Sequence, residues 1–268
     1  MPPEALLLAL AAAVLHAAWN VLLRGSDDVG ARTVAVLCVS VVVFAPVAAA
    51  TWSVDAAAIP YVAASALLEA LYFVLLTHAY RLRELSVVYP VARGSAPALV
   101  LAGTALVLGR AVSGAQVAGV LLVAAGVVLV RGLRRGAEGI GVGLAIGVAI
   151  AAYTLVDKEG LRHAAPVPYL ELVLAPIAVA ALLRRGISPL RSQASWSTLG
   201  AAIGSFGAYV LFLFALRLTA APGVAAVRET SVVIGVLLAA AFLGEHVTWP
   251  RLGGAVAVAG GVAVLAVA

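Results

Sequence analysis

The chain has 268 residues, of which 64% are hydrophobic and only 11% are charged, and its formal net charge is +5. Soluble domains carry roughly 25% charged residues, so this composition excludes a soluble enzyme and a nucleic-acid-binding domain and indicates a polytopic membrane protein. The single cysteine, Cys38, excludes a disulfide within the chain and argues against a metal cluster. We therefore expect no metal, no cofactor and no nucleic-acid partner.

Ten apolar stretches are predicted to cross the membrane as helices, because each is long enough to span a hydrocarbon core of about 30 Å. In chain order they cover residues 4–24, 33–52, 57–79, 87–109, 113–131, 138–157, 167–184, 196–215, 221–244 and 249–267. The first stretch begins with Glu4 and has no basic segment before it, which is typical of a spanning helix rather than of a cleaved signal. Strands of a membrane barrel are half as long and alternate in polarity, so a helical bundle is favoured.

The loop at residues 131–139 divides the chain into two halves, residues 1–134 and 135–268, each with five predicted helices. Halves with an odd number of helices must have opposite orientations in the membrane. The two halves align on matched residues, which pair Arg93 with Arg228, Gly119 with Gly254 and Gly126 with Gly261. The sequence therefore predicts an all-α polytopic membrane protein built from ten transmembrane helices in two inverted five-helix repeats.

The orientation is predicted from the arginine and lysine residues, which are concentrated at one end of the helices. That end includes Arg32, Arg184 and Arg191, whereas the other end includes Lys158 and Arg162. The positive-inside rule places the arginine-rich end in the cytoplasm and both termini outside.

Two arginines lie inside apolar stretches at matching positions of the two halves. A charged side chain in hydrocarbon costs several kcal/mol, so Arg93 and Arg228 predict a polar site between the repeats, near the bilayer midplane. The planar guanidinium suits carboxylate, phosphate or phosphonate oxygens. In the alternative interpretation, each arginine extends to the lipid headgroups or neutralises an internal acid.

The other candidate site residues are carboxylates and a polar, aromatic lining. Glu69 and Glu229 lie within predicted spans and are interpreted either as proton-coupling residues or as ion-pair partners of the arginines. The predicted substrate-binding lining consists of His16, Trp19, Asn20, Tyr72, Tyr89, Tyr153 and Tyr209. An aromatic residue deep in a span can equally be a packing residue.

The fourth and ninth helices close in a similar pattern, a small residue, an apolar run and then an amphipathic start to the next helix. LVLGRAVSGAQVAGVLLVAAGVVLV (106–130) and FLGEHVTWPRLGGAVAVAGGVAVL (242–265) both have this form, although Arg110 stands where the second has Glu245. With HAAWN (16–20) and YPVARGSAP (89–97), the chain resembles the EamA-type branch of the drug/metabolite transporter superfamily. The resemblance implies a small-metabolite transporter of the bacterial inner membrane, with a cavity between the halves and alternating access. It also implies cytoplasmic termini, the reverse of the charge distribution.

Two transport functions follow from these residues. In the first, a secondary transporter carries a small anionic metabolite, such as an organic phosphate, phosphonate or carboxylate. In the second, an exporter carries neutral or zwitterionic metabolites such as amino acids, and the arginines are held in Arg93–Glu69 and Arg228–Glu229 bridges. No G-x-S-x-G, H-E-x-x-H or nucleotide-binding motif is present, so neither an enzyme nor an ATP-driven pump is predicted. The expected partners are a small-molecule substrate and the lipid bilayer, with the chain a monomer or weak homodimer.

Overall fold

The computed structural model describes residues 1–24, 26–82, 85–131, 138–243 and 248–268, which are almost entirely helical. The only pairing of extended backbone in these ranges is a single bridge between Val54 and Ala164. The helices are α1 (Pro3–Arg24), α2 (Val29–Ala50), α3 (Ile59–Leu82), α4 (Leu85–Leu106), α5 (Gly114–Arg131), α6 (Glu138–Gly160), α7 (Pro166–Arg185), α8 (Ser188–Ser192), α9 (Trp196–Leu218), α10 (Ala221–Arg228), α11 (Thr230–Leu243) and α12 (Trp249–Val267). A 3-10 turn, Ala56–Ala58, precedes α3.

Local sequence signals set several helix ends. Asp28 precedes α2, and its side chain accepts a hydrogen bond from the amide of Ala31 at 2.8 Å. Ser195 caps α9 in the same way through the amide of Thr198. Such caps satisfy amide groups that have no partner within the helix. Gly186 ends α7 with a φ of 65°, a conformation that favours glycine.

Within the described ranges, seven helices are long and apolar enough to cross a membrane, namely α1, α2, α3, α6, α7, α9 and α12. Shorter apolar segments, Val91–Leu106 and Gly114–Val130, lie in α4 and α5. The prediction of an all-helical, multi-pass membrane protein is therefore confirmed. The count of ten membrane-crossing helices stays a prediction.

The predicted ninth helix, residues 221–244, is divided in the structure into α10 and α11. The amide of Glu229 donates to the carbonyl oxygen of Ala226 at 3.0 Å, so the chain tightens into a 3-10 pattern at this point. The Thr230 hydroxyl donates to the carbonyl of Val227 at 2.8 Å and so supplies a side-chain partner at the break. The short helix α8, in the connection after α7, is a second difference from the predicted elements.

Glycines allow α5 and α12 to pack backbone against backbone. A Cβ added at Gly126 would lie 2.7 Å from the carbonyl oxygen of Gly254, and one added at Gly261 would lie 2.8 Å from the carbonyl oxygen of Gly119. Small residues promote this close approach in membrane helices, where lipid is as apolar as the side chains it replaces. The glycines that match between the two halves of the sequence are thus the contact residues of one helix pair.

The remaining contacts bring the two halves of the chain together. Helix α1 packs on α9 and α3 packs on α6, while α2 packs on α7 and α4 packs on α6. Helix α10 contacts both α1 and α4, which places the break at Glu229 next to the middle of α4. The polar residues described below are held at this junction.

Replacing Gly254 with alanine is expected to lower the free energy of unfolding by about 1–3 kcal/mol, because overpacking a tight contact forces the backbone to move. The new Cβ would lie 2.6 Å from two backbone atoms, the carbonyl oxygen of Gly126 and the amide nitrogen of Val130. The midpoint of thermal unfolding in detergent measures the loss. Gly253→Ala is the matched control, because nothing lies within 4 Å of a Cβ at that position. Equal losses in both variants would contradict the close packing of α5 and α12.

Candidate functional site

A cavity of about 170 Å³ lies between helices from both halves of the chain. Its walls are formed by α1, α2, α3, α4, α6, α7, α9 and α10. The predicted site residues that line it are His16, Trp19, Asn20, Glu69, Tyr72, Arg93, Tyr153, Tyr209 and Arg228. Of the other two predicted residues, Glu229 is buried behind Arg93, and the side chain of Tyr89 lies outside the described residues.

Arg93 of α4 is buried in an ion pair. Its side chain donates from Nη1 to Oε1 of Glu229 at 3.0 Å, and its Nη2 contacts Nε2 of His16. Glu229 is only 3% exposed, and its Oε2 has no hydrogen-bond partner in the described part of the chain. The charge of Arg93 is therefore matched by a carboxylate at the break between α10 and α11.

This pairing corrects the predicted bridges, because among the described residues neither Arg93–Glu69 nor Arg228–Glu229 is formed. Consecutive helical residues point about 100° apart, which separates Arg228 from Glu229. The break at Glu229 directs its carboxylate toward α4, where it meets Arg93. Glu69 lies instead on the cavity wall from α3 and is 6% exposed.

His16 supports Arg93 from α1. Its Nδ1 lies 3.3 Å from Nε1 of Trp19, and its backbone carbonyl accepts a 2.7 Å hydrogen bond from the side chain of Asn20. A neutral imidazole accepts at only one ring nitrogen, so His16 accepts from Arg93 or from Trp19 but not from both at once. The predicted lining residues of α1 therefore form one network that ends on the ion pair.

Arg228 has a different environment from Arg93. Its guanidinium carbon lies 4.5 Å from the ring centroid of Phe212 and 5.4 Å from that of Tyr209. Within the described part of the chain it forms neither a hydrogen bond nor an ion pair with a side chain. Stacking on aromatic faces holds a guanidinium while leaving the N–H donors at its edge available. Arg228 thus presents a positive charge with available donors to the cavity.

Tyrosine rings connect this arginine to the opposite wall. Tyr72 meets Tyr153 edge to face at 6.3 Å, and Tyr153 meets Tyr209 edge to face at 6.2 Å. Such pairs favour perpendicular rings because the electron-rich face of one ring attracts the hydrogen edge of the next. Three of the predicted aromatic residues, Tyr72, Tyr153 and Tyr209, therefore form a contiguous wall from α3 through α6 to α9.

Asp157, a buried residue bonded to Tyr209 of the cavity wall, was not predicted from the sequence. It is fully buried near the end of α6, and its carboxylate accepts hydrogen bonds from Ser65 at 2.5 Å, Tyr169 at 3.0 Å and Tyr209 at 2.7 Å. Its position at the end of a predicted span, next to Lys158, is typical of an interfacial charge. The spacing from Tyr153 was the available signal, because residues four apart lie on the same helix face.

The cavity is sealed at the end of the bundle where α6 ends, which we call the closed end. Here backbone hydrogen bonds join residues 53–55 to residues 163–165 at 2.7 and 2.8 Å. Lys158 donates to the carbonyl oxygens of Leu216 and Thr219 at the end of α9. Arg110 pairs with Glu159 at 2.5 Å across the two halves.

The opposite end, which we call the open end, contains a vestibule of about 1000 Å³ between α2, α3 and α7. The vestibule and the cavity share Thr33, Leu37, Phe73 and Leu76 as lining residues, so they are adjacent. Arg184 and Arg185 belong to the vestibule lining. The cavity is thus approached from the end that carries these two exposed arginines.

No group of three or more histidine, cysteine, aspartate or glutamate side chains within the described ranges is placed to hold a metal ion. What the residues of the cavity can do chemically is to bind a small polar molecule. Arg228 offers hydrogen-bond donors, Glu69 offers acceptors and the tyrosine wall offers apolar contact.

Comparison with known proteins agrees with this architecture. A solved structure described only as "Crystal structure of protein" superposes with a TM-score of 0.79 at 18% identity, covering 98% of this chain and 96% of that chain, and it shows the fold alone. No functionally curated protein matches the chain. The sequence model of the EamA-like transporter family matches residues 137–267. Residues 137–267, close to half of the chain, thus match the EamA-like transporter family, a family of the drug/metabolite transporter superfamily.

Proposed function

We propose that this membrane transporter carries a small anionic metabolite, an organic phosphate, phosphonate or carboxylate, by secondary active alternating access. The observation that carries the proposal is the difference between the two arginines that line the cavity, Arg93 and Arg228. Arg93 is neutralised by Glu229 at 3.0 Å, whereas Arg228 faces the cavity with no carboxylate partner among the described residues. A guanidinium that makes no direct ion pair in a membrane interior favours an anion as its partner.

Two inverted repeats, residues 1–134 and 135–268, would supply the moving parts. If α1 to α5 correspond to α6, α7, α9, α10 with α11, and α12, the most extensive contacts between the halves have symmetric counterparts. The contact of α1 with α9 matches that of α3 with α6, and the contact of α2 with α9 matches that of α3 with α7. The pairs α2–α7 and α5–α12 map onto themselves. This pattern supports a pseudo-twofold axis in the membrane plane, although the boundary at residue 134 lies outside the described residues.

The second candidate function is transport of a neutral or zwitterionic metabolite such as an amino acid. Glu69 favours it, because its buried carboxylate lines the same cavity as Arg228. A zwitterion would place its carboxylate on Arg228 and its ammonium group on Glu69. Glu69 is also positioned to carry a coupling proton, which is one of the two roles predicted for it from the sequence.

Both termini lie at the closed end of the bundle, so the orientation in the proposed bacterial inner membrane decides on which side they are. The Met1 amino group donates to the carbonyl oxygen of Ala266 at 3.2 Å, and Met1 lies beside Gly223 at the start of α10, which is at the closed end. The positive-inside rule places the open end, with Arg184 and Arg185, in the cytoplasm. Cytoplasmic termini, as the family resemblance implies, would place the closed end there. We propose a monomer or weak homodimer in either orientation.

Replacing Arg228 with glutamine is expected to abolish stabilisation of the protein by small anions. A ligand that binds only the native state raises its stability by about 2.7 kcal/mol at 100-fold its dissociation constant. Thermal unfolding of the detergent-purified protein would be followed with phosphonates, organic phosphates, carboxylates and amino acids. Arg217→Gln is the matched control, because Arg217 is exposed in the last turn of α9 and does not line the cavity.

Each outcome of this screen separates the candidate functions. An anion-specific shift that is lost in Arg228→Gln and retained in Arg217→Gln supports the anionic substrate. A shift given only by amino acids and lost in both Arg228→Gln and Glu69→Gln supports the zwitterionic substrate. Anion shifts that persist in Arg228→Gln contradict the proposed site.

Replacing Arg93 with alanine is expected to lower the free energy of unfolding by about 3–5 kcal/mol, because it leaves the buried carboxylate of Glu229 without its partner. The double variant Arg93→Met with Glu229→Gln should recover most of the loss, since it removes both charges. Arg110→Ala is the comparison. Its ion pair with Glu159 is made by a side chain that is 42% exposed, so we expect a loss of at most about 1 kcal/mol. Denaturation in detergent measures all of these variants, and an Arg93→Ala protein of unchanged stability would refute a structural role for Arg93.

A further inference from the structure

We infer that Asp157 is a positioning residue that holds the closed end of the transport pathway shut and connects that closure to the substrate cavity through Tyr209. The inference rests on the proposed transport function. It concerns a residue that binds no substrate itself, since Asp157 does not line the cavity.

The first observation is the number of helices that meet at one carboxylate. Oδ1 of Asp157 accepts hydrogen bonds from Ser65 of α3 at 2.5 Å and from Tyr169 of α7 at 3.0 Å, and Oδ2 accepts one from Tyr209 of α9 at 2.7 Å. The residue is fully buried. A buried carboxylate is costly unless it is hydrogen-bonded, and bonds to an ionised acceptor are about twice as strong as neutral ones. Asp157 therefore joins α3, α6, α7 and α9 at a single point.

The second observation is that one of the hydrogen bonds of Asp157 links the two proposed repeats. Ser65 belongs to residues 1–134, whereas Asp157 belongs to residues 135–268. Other contacts cross at the same end, including the backbone bond from Asp55 to His163 at 2.8 Å and the Arg110–Glu159 pair. Alternating access requires the repeats to separate at the closed end. The Ser65–Asp157 bond must then break, and it is the most deeply buried of these crossing contacts.

The third observation is that Tyr209 contacts both Asp157 and the substrate cavity. Its hydroxyl bonds Asp157, while its ring lines the cavity and lies 5.4 Å from the guanidinium carbon of Arg228. A substrate that draws Arg228 away from this ring changes the support of Tyr209 and thereby one of the bonds to Asp157. Occupancy of the cavity and closure of the end are thus linked by one side chain.

The test measures thiol accessibility at both ends without any substrate. Cys38 is the single cysteine, so Cys38→Ala provides a thiol-free background. Ala164→Cys reports on the closed end, because Ala164 is 5% exposed and pairs with Val54 across the repeats. Thr33→Cys reports on the open end, because Thr33 lines both the vestibule and the cavity. The rate of modification by a water-soluble maleimide is recorded in detergent.

Asp157→Asn is expected to raise the labelling rate of Ala164→Cys by about tenfold and to lower that of Thr33→Cys, because weakening a charge-assisted contact shifts a two-state equilibrium toward the other state. Ser65→Ala and Tyr169→Phe each remove one bond and should shift both rates in the same directions by smaller factors. If Asp157→Asn does not fold, the labelling rates in Ser65→Ala and Tyr169→Phe still test the inference. Tyr61→Phe is the matched control, because Tyr61 stacks on His163 nearby but its hydroxyl forms no hydrogen bond with a described residue.

Opposite changes at the two ends support the inference. Unchanged rates in folded Asp157, Ser65 and Tyr169 variants overturn it. Rates that rise together at both ends also overturn it, since they indicate general loosening rather than exchange between two states. Failure of the anion hypothesis would appear in the ligand screen and not in these rates, which are measured without ligand.

Discussion

The structure depends on the free-energy cost of burying charge in a membrane, because hydrocarbon offers no water to an ionised side chain. The deeply buried charges of the described residues are therefore gathered where the two halves of the chain meet. Arg93 is matched by Glu229, and Asp157 is matched by hydroxyl groups of three neighbouring helices. The remainder of the fold can then be built from small and aliphatic residues, and backbone contact between glycines of α5 and α12 needs no polar group at all.

Breaking one helix makes this arrangement possible. Arg228 and Glu229 would already point about 100° apart in a continuous helix, and the 3-10 step at Glu229 changes the direction of its carboxylate further. Glu229 then faces α4, and Arg228 faces the cavity. Interrupted helices recur at membrane binding sites because irregular backbone is tolerated only where protein or a cavity surrounds it. The same break separates Glu229, which pairs with Arg93, from Arg228, whose hydrogen-bond donors face the cavity.

Much of the fold was predictable because it is dictated by hydrocarbon length and by small-residue spacing. The apolar runs predicted the helical bundle, and the glycines that match between the halves, Gly119, Gly126, Gly254 and Gly261, lie at the close contact of α5 and α12. The cavity walls were predictable from polar and aromatic residues within spans. The partners of those residues were not, since pairing depends on rotation of each helix about its axis, which periodicity alone does not set. Glu229 therefore pairs with Arg93 rather than with its neighbour, and Asp157, at the end of a span, resembled an interfacial residue.

The walls of the vestibule are mostly apolar apart from Arg184 and Arg185, which bears on the proposed selectivity by sign of charge. A narrow passage with low-dielectric walls concentrates the field of a charge at its inner end instead of letting surrounding water dissipate it. The field of Arg228 therefore extends outward along the vestibule toward Thr33 and Phe73, which lie on the shared boundary. Mobile salt ions screen such a passage less well than an open surface. For the anionic substrate proposed above, this field would repel cations before they touch the cavity, so that discrimination would begin at a distance, ahead of any hydrogen bond.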